Sequence, residues 1–205
     1  MAMLEQAIEY WRAGGPLLIP IALVCFGIWL YFLKSRSEML KTLRASEGIE
    51  EDVLERMRAG GADGAAEYYG GQSGLLARAV AAALAVPGRR VAAFRECEQG
   101  CLRFLRRDLV VLAGLTAAAP LLGLLGTVRG MVATFNGVAA AGQAAEHVAA
   151  GISQALITTQ VGLVVAIPGV FGIARLQRLL EMIRVRLTAC RIHIKLGLDN
   201  SGALR

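Results

Sequence analysis

The sequence predicts an all-α integral membrane protein with three transmembrane helices, of which the second and third extend into the cytoplasm. Of its 205 residues, 56% are hydrophobic and only 19% are charged. The mean hydropathy of +0.53 is too high for an ordinary soluble domain of 21.7 kDa. The charges are also segregated from three apolar runs at residues 16–33, 109–145 and 148–174. This composition excludes disordered, collagen-like and disulfide-rich secreted chains.

Each apolar run has the length of a membrane-spanning helix. A crossing needs about 20 apolar residues, so the first run just suffices and the other two exceed that length. The second run contains one charge, Arg129, and at ~1.5 Å per residue it would be roughly 55 Å long, so part of it projects beyond the bilayer. The first run is not a cleavable signal, because Glu5 and Glu9 precede it instead of a basic segment.

The positions of Lys and Arg predict the orientation. Thirteen lie between Lys34 and Arg107 and seven from Arg175 onward, whereas the segment between the second and third runs has none and the N-terminus has only Arg12. The positive-inside rule therefore places the N-terminus outside, residues 34–108 inside and the C-terminus inside. The net charge of +6 then faces anionic lipid and requires no nucleic acid. The predicted segments are a periplasmic amphipathic helix (1–15), transmembrane helix 1 (16–33), a cytoplasmic helical loop domain (34–108), transmembrane helix 2 with its periplasmic turn (109–145), transmembrane helix 3 (148–174), and a cytoplasmic C-terminal helix and tail (175–205).

The cytoplasmic segment is predicted to be helical with one interruption. Helical composition and charge pattern extend over 35–59 and 75–86, and a third helix begins near Arg89 and continues into the membrane. Six glycines between residues 60 and 74 predict a flexible loop that contains Tyr69.

No catalytic set is present. There is no GxSxG, P-loop or HExxH motif, and no GxGxxG in a strand–helix context, so we predict neither an enzyme nor a cofactor. Cys97, Cys101, Cys190 and His193 come level if the second and third helices form a hairpin about residue 143. A zinc site there is conceivable, but the spacing matches no known finger. Unlinked, reduced side chains are the preferred interpretation, and no metal site is predicted.

One face of the second apolar helix is small and weakly polar along its length. At about 100° per residue it groups residues within about 40° of Thr116: Thr116, Pro120, Gly123, Thr127, Gly130 and Thr134. Two interpretations are open. The face packs closely against another helix, as the Gly126-x-x-x-Gly130 spacing favours, or its threonine hydroxyls line a narrow polar interior.

The third apolar helix carries polar side chains that should face protein or a cavity, because they are costly in lipid: Ser153, Gln154, Thr158, Thr159 and Gln160. Gly162 and Pro168 follow them. In a hairpin about residue 143, Thr127 and Thr159 lie at one height, and oligomerisation would turn them into a polar ring. Pro120 and Pro168 would free backbone carbonyls and bend the two helices around this interior.

The charged groups of the membrane segments are unusual. Arg129 lies about 160° from Thr127 around the helix, so we interpret it as an anchor to outer headgroups in preference to a pore charge. No Asp or Glu lies within 109–145 or 148–174. A proton relay in a membrane normally uses Asp, Glu or His, so a titrating carboxylate must come from a partner.

Two segments resemble the signatures of the MotA/TolQ/ExbB proton-channel family, with ExbB as the most similar branch. They are Ala118 to Met131, AAPLLGLLGTVRGM, and Gly151 to Gly169, GISQALITTQVGLVVAIPG. The resemblance implies a homopentameric ring in the bacterial inner membrane around ExbD-like single-span subunits that carry the protonatable Asp. A TonB-like protein then transmits force for outer-membrane transport.

The resemblance also assigns residues. The family's pore threonines fall on Thr127 and Thr159, and its third-helix glutamate falls on Gln154. With the face argument, the predicted lining set is Thr116, Thr127, Thr134, Gln154, Thr158 and Thr159. A TolQ-like role in envelope integrity and a non-conducting membrane scaffold are the alternatives.

Overall fold

The computed structural model describes residues 15–72, 74–141 and 144–200. Within this part there is no strand, and the helices are α1 (Leu18–Ala45), α2 (Ile49–Gly70), α3 (Leu75–Leu84), α4 (Arg90–Ala141) and α5 (Ala144–Asn200). Three of them, α1, α4 and α5, are long and apolar enough to cross a membrane, so the predicted all-α class with three candidate spans is confirmed. The predicted surface helix within 1–15 and the hairpin turn near 143 lie outside the described residues.

The two longest helices exceed the thickness of a bilayer. α4 has 52 residues and α5 has 57, which corresponds to roughly 78 and 86 Å of helix against a hydrocarbon core of about 30 Å. Each therefore continues well beyond its apolar run. Their apolar segments contain Pro120 and Pro168, and the helix continues through both residues.

The chain divides into two compact units, to which α1, α4 and α5 all contribute. The apolar unit contains the described residues of 1–33 and 110–174, and the charged unit those of 34–109 and 175–205. These limits differ by at most one residue from the ends of the apolar runs at 33, 109 and 174.

The predicted flexible loop at 60–74 is wrong for most of its length. α2 continues to Gly70, with one kink where Gly61 takes a φ of 70°. An apolar stripe of Val53, Met57, Ala65 and Tyr69 is buried, and burial of such a stripe outweighs a cost of about 1 kcal/mol for each helical glycine. The helix predicted over 75–86 is present as α3, which ends at Leu84, just before Pro87 and Gly88.

Arginines close two helix ends in the charged unit. The Arg186 guanidinium donates from Nη1 to the Leu43 carbonyl at 3.0 Å and to the Ser46 hydroxyl at 3.1 Å. Arg90 donates from Nε to the Leu84 carbonyl at 3.0 Å. The last carbonyls of a helix lack intrahelical donors, so these bonds fix where α1 and α3 stop.

A buried tyrosine ties the two ends of α2 together. Tyr69 is fully buried, and its hydroxyl donates to Asp52 Oδ2 at 2.7 Å. Burial alone would raise the pKa of Asp52, but hydrogen bonds from Arg56 and Tyr69 outweigh it and lower that pKa from its ordinary 3.8. The stabilisation is therefore complete above about pH 4 and is lost as the pH falls through the lowered folded-state pKa.

We expect Tyr69→Phe to lower the free energy of unfolding by about 1 kcal/mol at pH 7, because the hydrogen bond to a charged acceptor is lost while the ring stays packed. At a pH below the lowered pKa of Asp52 the difference should shrink, since a protonated Asp52 accepts a weaker bond. Urea titrations in detergent at both pH values would measure it. The matched control is Tyr68→Phe, since Tyr68 is exposed and its ring lies under Arg56. An equal loss in both variants would contradict the assignment.

Candidate functional site

The apolar unit contains a close contact between α4 and α5. A methyl group on Gly162 would lie 2.7 Å from the Ala119 carbonyl oxygen, and one on Gly130 would lie 2.9 Å from the Gly151 carbonyl oxygen. A methyl group on Gly123 or on Gly126 would likewise lie against Thr158 of α5. We call this contact the α4–α5 seam. As the contacting residue numbers rise on α4 they fall on α5, so the two helices are antiparallel.

Three of the predicted lining residues are packed inside this seam. The fractional exposure of Thr116 and Thr134 is 4%, and that of Thr158 is 1%. Each hydroxyl donates to a carbonyl of its own helix, at 2.8, 2.9 and 2.9 Å respectively. Each side chain also lies against a glycine of the facing helix. They fill the gaps that the seam glycines leave, and their role as lining residues stays a prediction.

Thr127 and Thr159 stand apart from these three, because both are half-buried at the edge of the seam. The Thr159 hydroxyl shares its one proton between the Gly123 carbonyl of α4, at 3.3 Å, and the Ala155 carbonyl of its own helix, at 3.2 Å. The Thr127 hydroxyl donates to the Leu124 carbonyl at 2.7 Å. Each hydroxyl keeps free acceptor capacity towards the surface.

Helix α1 packs on one side of the seam. The Leu115 side chain of α4 lies against Gly27 of α1, and the Phe32 ring of α1 lies against Gly172 of α5. At about 100° per residue, Thr127 is about 120° from Leu115, and Thr159 is about 140° from Gly172. In antiparallel helices these rotations lead to the same side. Thr127 and Thr159 therefore mark the edge of the seam that faces away from α1, which we call the threonine edge.

Gln154 belongs to the α1 side and not to the threonine edge. Its amide nitrogen lies against Gly15, which precedes α1 and takes a φ of +69°. Gln154 and Gly172 occupy the same angular position around α5. Gln154 contacts Gly15, and Gly172 contacts Phe32 of α1. The structure thus gives Gln154 a contact at Gly15, just before α1, and its lining role stays a prediction.

The rest of the apolar unit presents a large hydrophobic surface. Leu121, Leu124 and Val128 on α4 are 64%, 57% and 56% exposed, and α1 and α5 present similar rows. Patches of this size mark contact with lipid or with other protein. Arg129 is exposed among these residues, on the α4 surface away from the threonine edge. Its role as a headgroup anchor stays a prediction.

The charged unit brings no metal ligands together in its described residues, where no group of three His, Cys, Asp or Glu side chains is found. Cys97 and Cys101 are half-buried, Cys190 is buried, and none is in a disulfide. Burial raises the pKa of the Cys101 thiol, which disfavours the thiolate that a metal would require.

Sequence reasoning missed a basic groove in the charged unit. It is lined by Arg95, Arg103 and Arg106 of α4 and by Arg184 and Arg191 of α5. The α4 residues recur at helical spacing on one face, which was readable in the sequence. Their proximity to the α5 arginines, which are about 80 residues away in the chain, was not readable.

Comparison with known proteins places these elements in a family context. Residues 73–188 match the model of the MotA/TolQ/ExbB proton channel family. The chain is 49% identical over 67 residues to the putative biopolymer transport protein ExbB-like 1 of Synechocystis, 41% over 95 residues to the Tol-Pal system protein TolQ of Pseudomonas aeruginosa, and 44% over 69 residues to the biopolymer transport protein ExbB of Xanthomonas campestris. The matches cover 31%, 46% and 33% of this chain, and 26%, 39% and 27% of these relatives.

Proposed function

Because the chain belongs to the MotA/TolQ/ExbB proton channel family, we propose that it is the multi-span wall subunit of a bacterial inner-membrane motor driven by the proton-motive force. In the preferred version the motor is ExbB-like. The chain forms a ring, expected to be a pentamer, around ExbD-like single-span subunits, and a TonB-like protein transmits the force to outer-membrane transport. The N-terminus is periplasmic and the C-terminus is cytoplasmic, as the distribution of Lys and Arg favours.

The threonine edge is the observation that carries this proposal. Thr127 and Thr159 keep partly exposed hydroxyls on one side of the α4–α5 seam, and α1 packs on the other side. If α1 faces the lipid at the outside of a ring, the threonine edge faces the interior. A hydroxyl both donates and accepts hydrogen bonds, so it solvates a carboxylate in its charged form and in its neutral form.

The wall itself supplies no proton acceptor. The apolar runs 16–33, 109–145 and 148–174 contain no Asp or Glu, and Gln154 is neutral and packs at Gly15. The protonatable Asp is therefore assigned to the single-span partner. In this arrangement the threonine edge lowers the free-energy cost of moving that carboxyl group through an apolar ring.

A TolQ-like role is the second candidate. The match to TolQ of Pseudomonas aeruginosa covers 46% of this chain, more than the match to ExbB of Xanthomonas campestris. In this role the chain would still form a ring around an inner subunit that carries the protonatable Asp, and only the envelope partner would differ. A scaffold without ion flow would need the same α4–α5 seam, but it would not require hydroxyl groups at the threonine edge.

The test compares isosteric Thr→Val variants inside and outside the threonine edge, in the chain coexpressed with its single-span partner. We expect Thr127→Val and Thr159→Val each to slow proton flux into proteoliposomes on the order of tenfold, which corresponds to a barrier increase of about 1.4 kcal/mol from one lost hydrogen bond. Thr134→Val is the matched control, because the Thr134 hydroxyl is buried in the seam. Full flux in both edge variants would reject the lining role.

A further inference from the structure

The basic groove of the charged unit is larger and more strongly charged than helix packing requires. It has a volume of about 400 Å³, and its lining includes five arginines, at positions 95, 103, 106, 184 and 191, against one acidic residue, Glu98. We call it the arginine groove.

The charge of the groove is not neutralised by the residues that the structure describes. Glu98 is already engaged by Arg191, at 2.9 Å between Oε2 and Nη1, and Arg184 has only a 3.7 Å contact with Glu181. Among the described residues, no Asp or Glu lies within 4 Å of the guanidinium groups of Arg95, Arg103 and Arg106. Like charges held this close repel one another, so the groove is suited to an anionic surface.

The same unit carries a surface of the opposite charge. Glu47 lies in the turn just before α2, Glu51 and Glu55 lie one turn apart in its first part, and all three are exposed. None of them lines the groove, and none forms an ion pair with the described residues. We call these three residues the acidic stripe.

We propose that the acidic stripe of one copy of this chain docks in the arginine groove of the next copy. Glu51 and Glu55 lie four residues, or about 6 Å, apart along α2, a spacing similar to that of Arg103 and Arg106, which lie three residues apart on α4. Three carboxylates then meet the three α4 arginines that have no acidic partner among the described residues of their own chain. A contact of this kind sets partner choice and register more than raw affinity.

Symmetry decides what such a contact builds. A twofold dimer can use this contact only reciprocally, with the acidic stripe of each copy in the arginine groove of the other at the same time. Where each pair of copies forms one such contact, the two different patches give a head-to-tail arrangement, which generates a ring when the rotation closes. The inference thus rests on the ring of the proposed function and names the charged contact that sets its direction.

An anionic lipid surface fits the groove less well. Arg106 lies three residues before Leu109, where the apolar run begins, but Arg95 lies 14 residues before it, roughly 21 Å along α4. The headgroup layer is only about 5–7 Å thick on each side of the hydrocarbon core. Lipid therefore reaches one end of the groove and leaves Arg95 without a counter-charge.

Charge exchange in the full chain, purified with its partner and examined by native mass spectrometry, tests the proposal. We expect Arg95, Arg103 and Arg106→Glu together to shift the chain from rings to monomers, with at least a tenfold loss of ring population, and Glu47, Glu51 and Glu55→Arg together to do the same. All six changes in one chain should restore the ring. The matched control, Arg44, Arg58 and Arg78→Glu, changes the same net charge at exposed positions outside the groove and should leave the ring intact.

Three outcomes would overturn the proposal: rings that survive both triple variants, a sixfold variant that stays monomeric, or a groove variant whose only change is weaker binding to vesicles of anionic lipid. These failures differ from a failure of the proposed function. If the rings persist in every charge variant and proton flux stays normal, the docking alone is rejected. If proton flux stays normal in both threonine-edge variants, the lining function alone is rejected.

Discussion

Gly162→Ala is expected to destabilise the apolar unit by about 2–3 kcal/mol, although it adds a single methyl group. That methyl would lie 2.7 Å from the Ala119 carbonyl oxygen and 3.2 Å from the Gly123 Cα, so backbone and not a flexible side chain must move. Overpacking of this kind typically costs 1–3 kcal/mol, and close helix approach in membranes depends on such small residues. The free energy of unfolding, from titration with a denaturing detergent followed by circular dichroism, would measure the loss.

The control for this prediction is Gly114→Ala on the same helix pair. Gly114 is exposed, and nothing lies within 4 Å of a methyl group placed there, so we expect no loss of stability. We also expect Gly162→Ala to reduce proton flux, because Gly123 carries the carbonyl that accepts the Thr159 hydroxyl. Equal free energies of unfolding for the two variants would contradict the close contact between α4 and α5 at Gly162.

Arg191→Met is expected to cost about 2–3 kcal/mol in the charged unit. Arg191 neutralises Glu98, whose fractional exposure is 6%, through an ion pair of 2.9 Å. Breaking a fully buried pair costs 3–5 kcal/mol, because one charge stays behind without a partner. We expect the lower value because the Arg191 side chain is 29% exposed, so water partly compensates for the loss.

The double variant Glu98→Met/Arg191→Met separates the pair from simple packing. Replacing both members of a buried ion pair by apolar side chains is often neutral, so most of the lost stability should return. Arg184→Met is the surface control: its contact with Glu181 is 3.7 Å long and both side chains are more than half exposed, so the change should be under about 1 kcal/mol. A double variant as unstable as the single one would contradict the buried-charge explanation.

Local pattern was sufficient wherever one residue type decides the outcome. The three apolar runs, which together contain one charge, predicted the three long helices, because a run of this length with so few charges has few other stable environments. The GxxxG spacing at Gly126 and Gly130 predicted close packing of α4. The loop prediction at 60–74 failed because glycine counts report local preference, whereas burial of Ala65 and Tyr69 is a tertiary gain that exceeds it.

The sequence predicted which residues belong to the candidate site, but not which of them lie inside the α4–α5 seam and which lie at its edge. Thr158 and Thr159 are neighbours in sequence with the same chemistry, yet one is 1% exposed in the seam and the other reaches its edge. A rotation of about 100° separates them, and no local signal says which of the two faces the other helix. Gln154 matched the family pattern by position, but its contact with Gly15 depends on where α1 packs.

The amino-acid sequence alone determined that this chain is helical, that three of its helices suit a bilayer, and that none of its apolar runs carries a carboxylate. Those properties follow from composition and spacing, which are local. Tertiary structure decided which threonines stay accessible, which side of the seam α1 covers, and which arginines gather into one groove. Each of these depends on the rotation of one helix against another, and that rotation is set by the summed packing of many side chains.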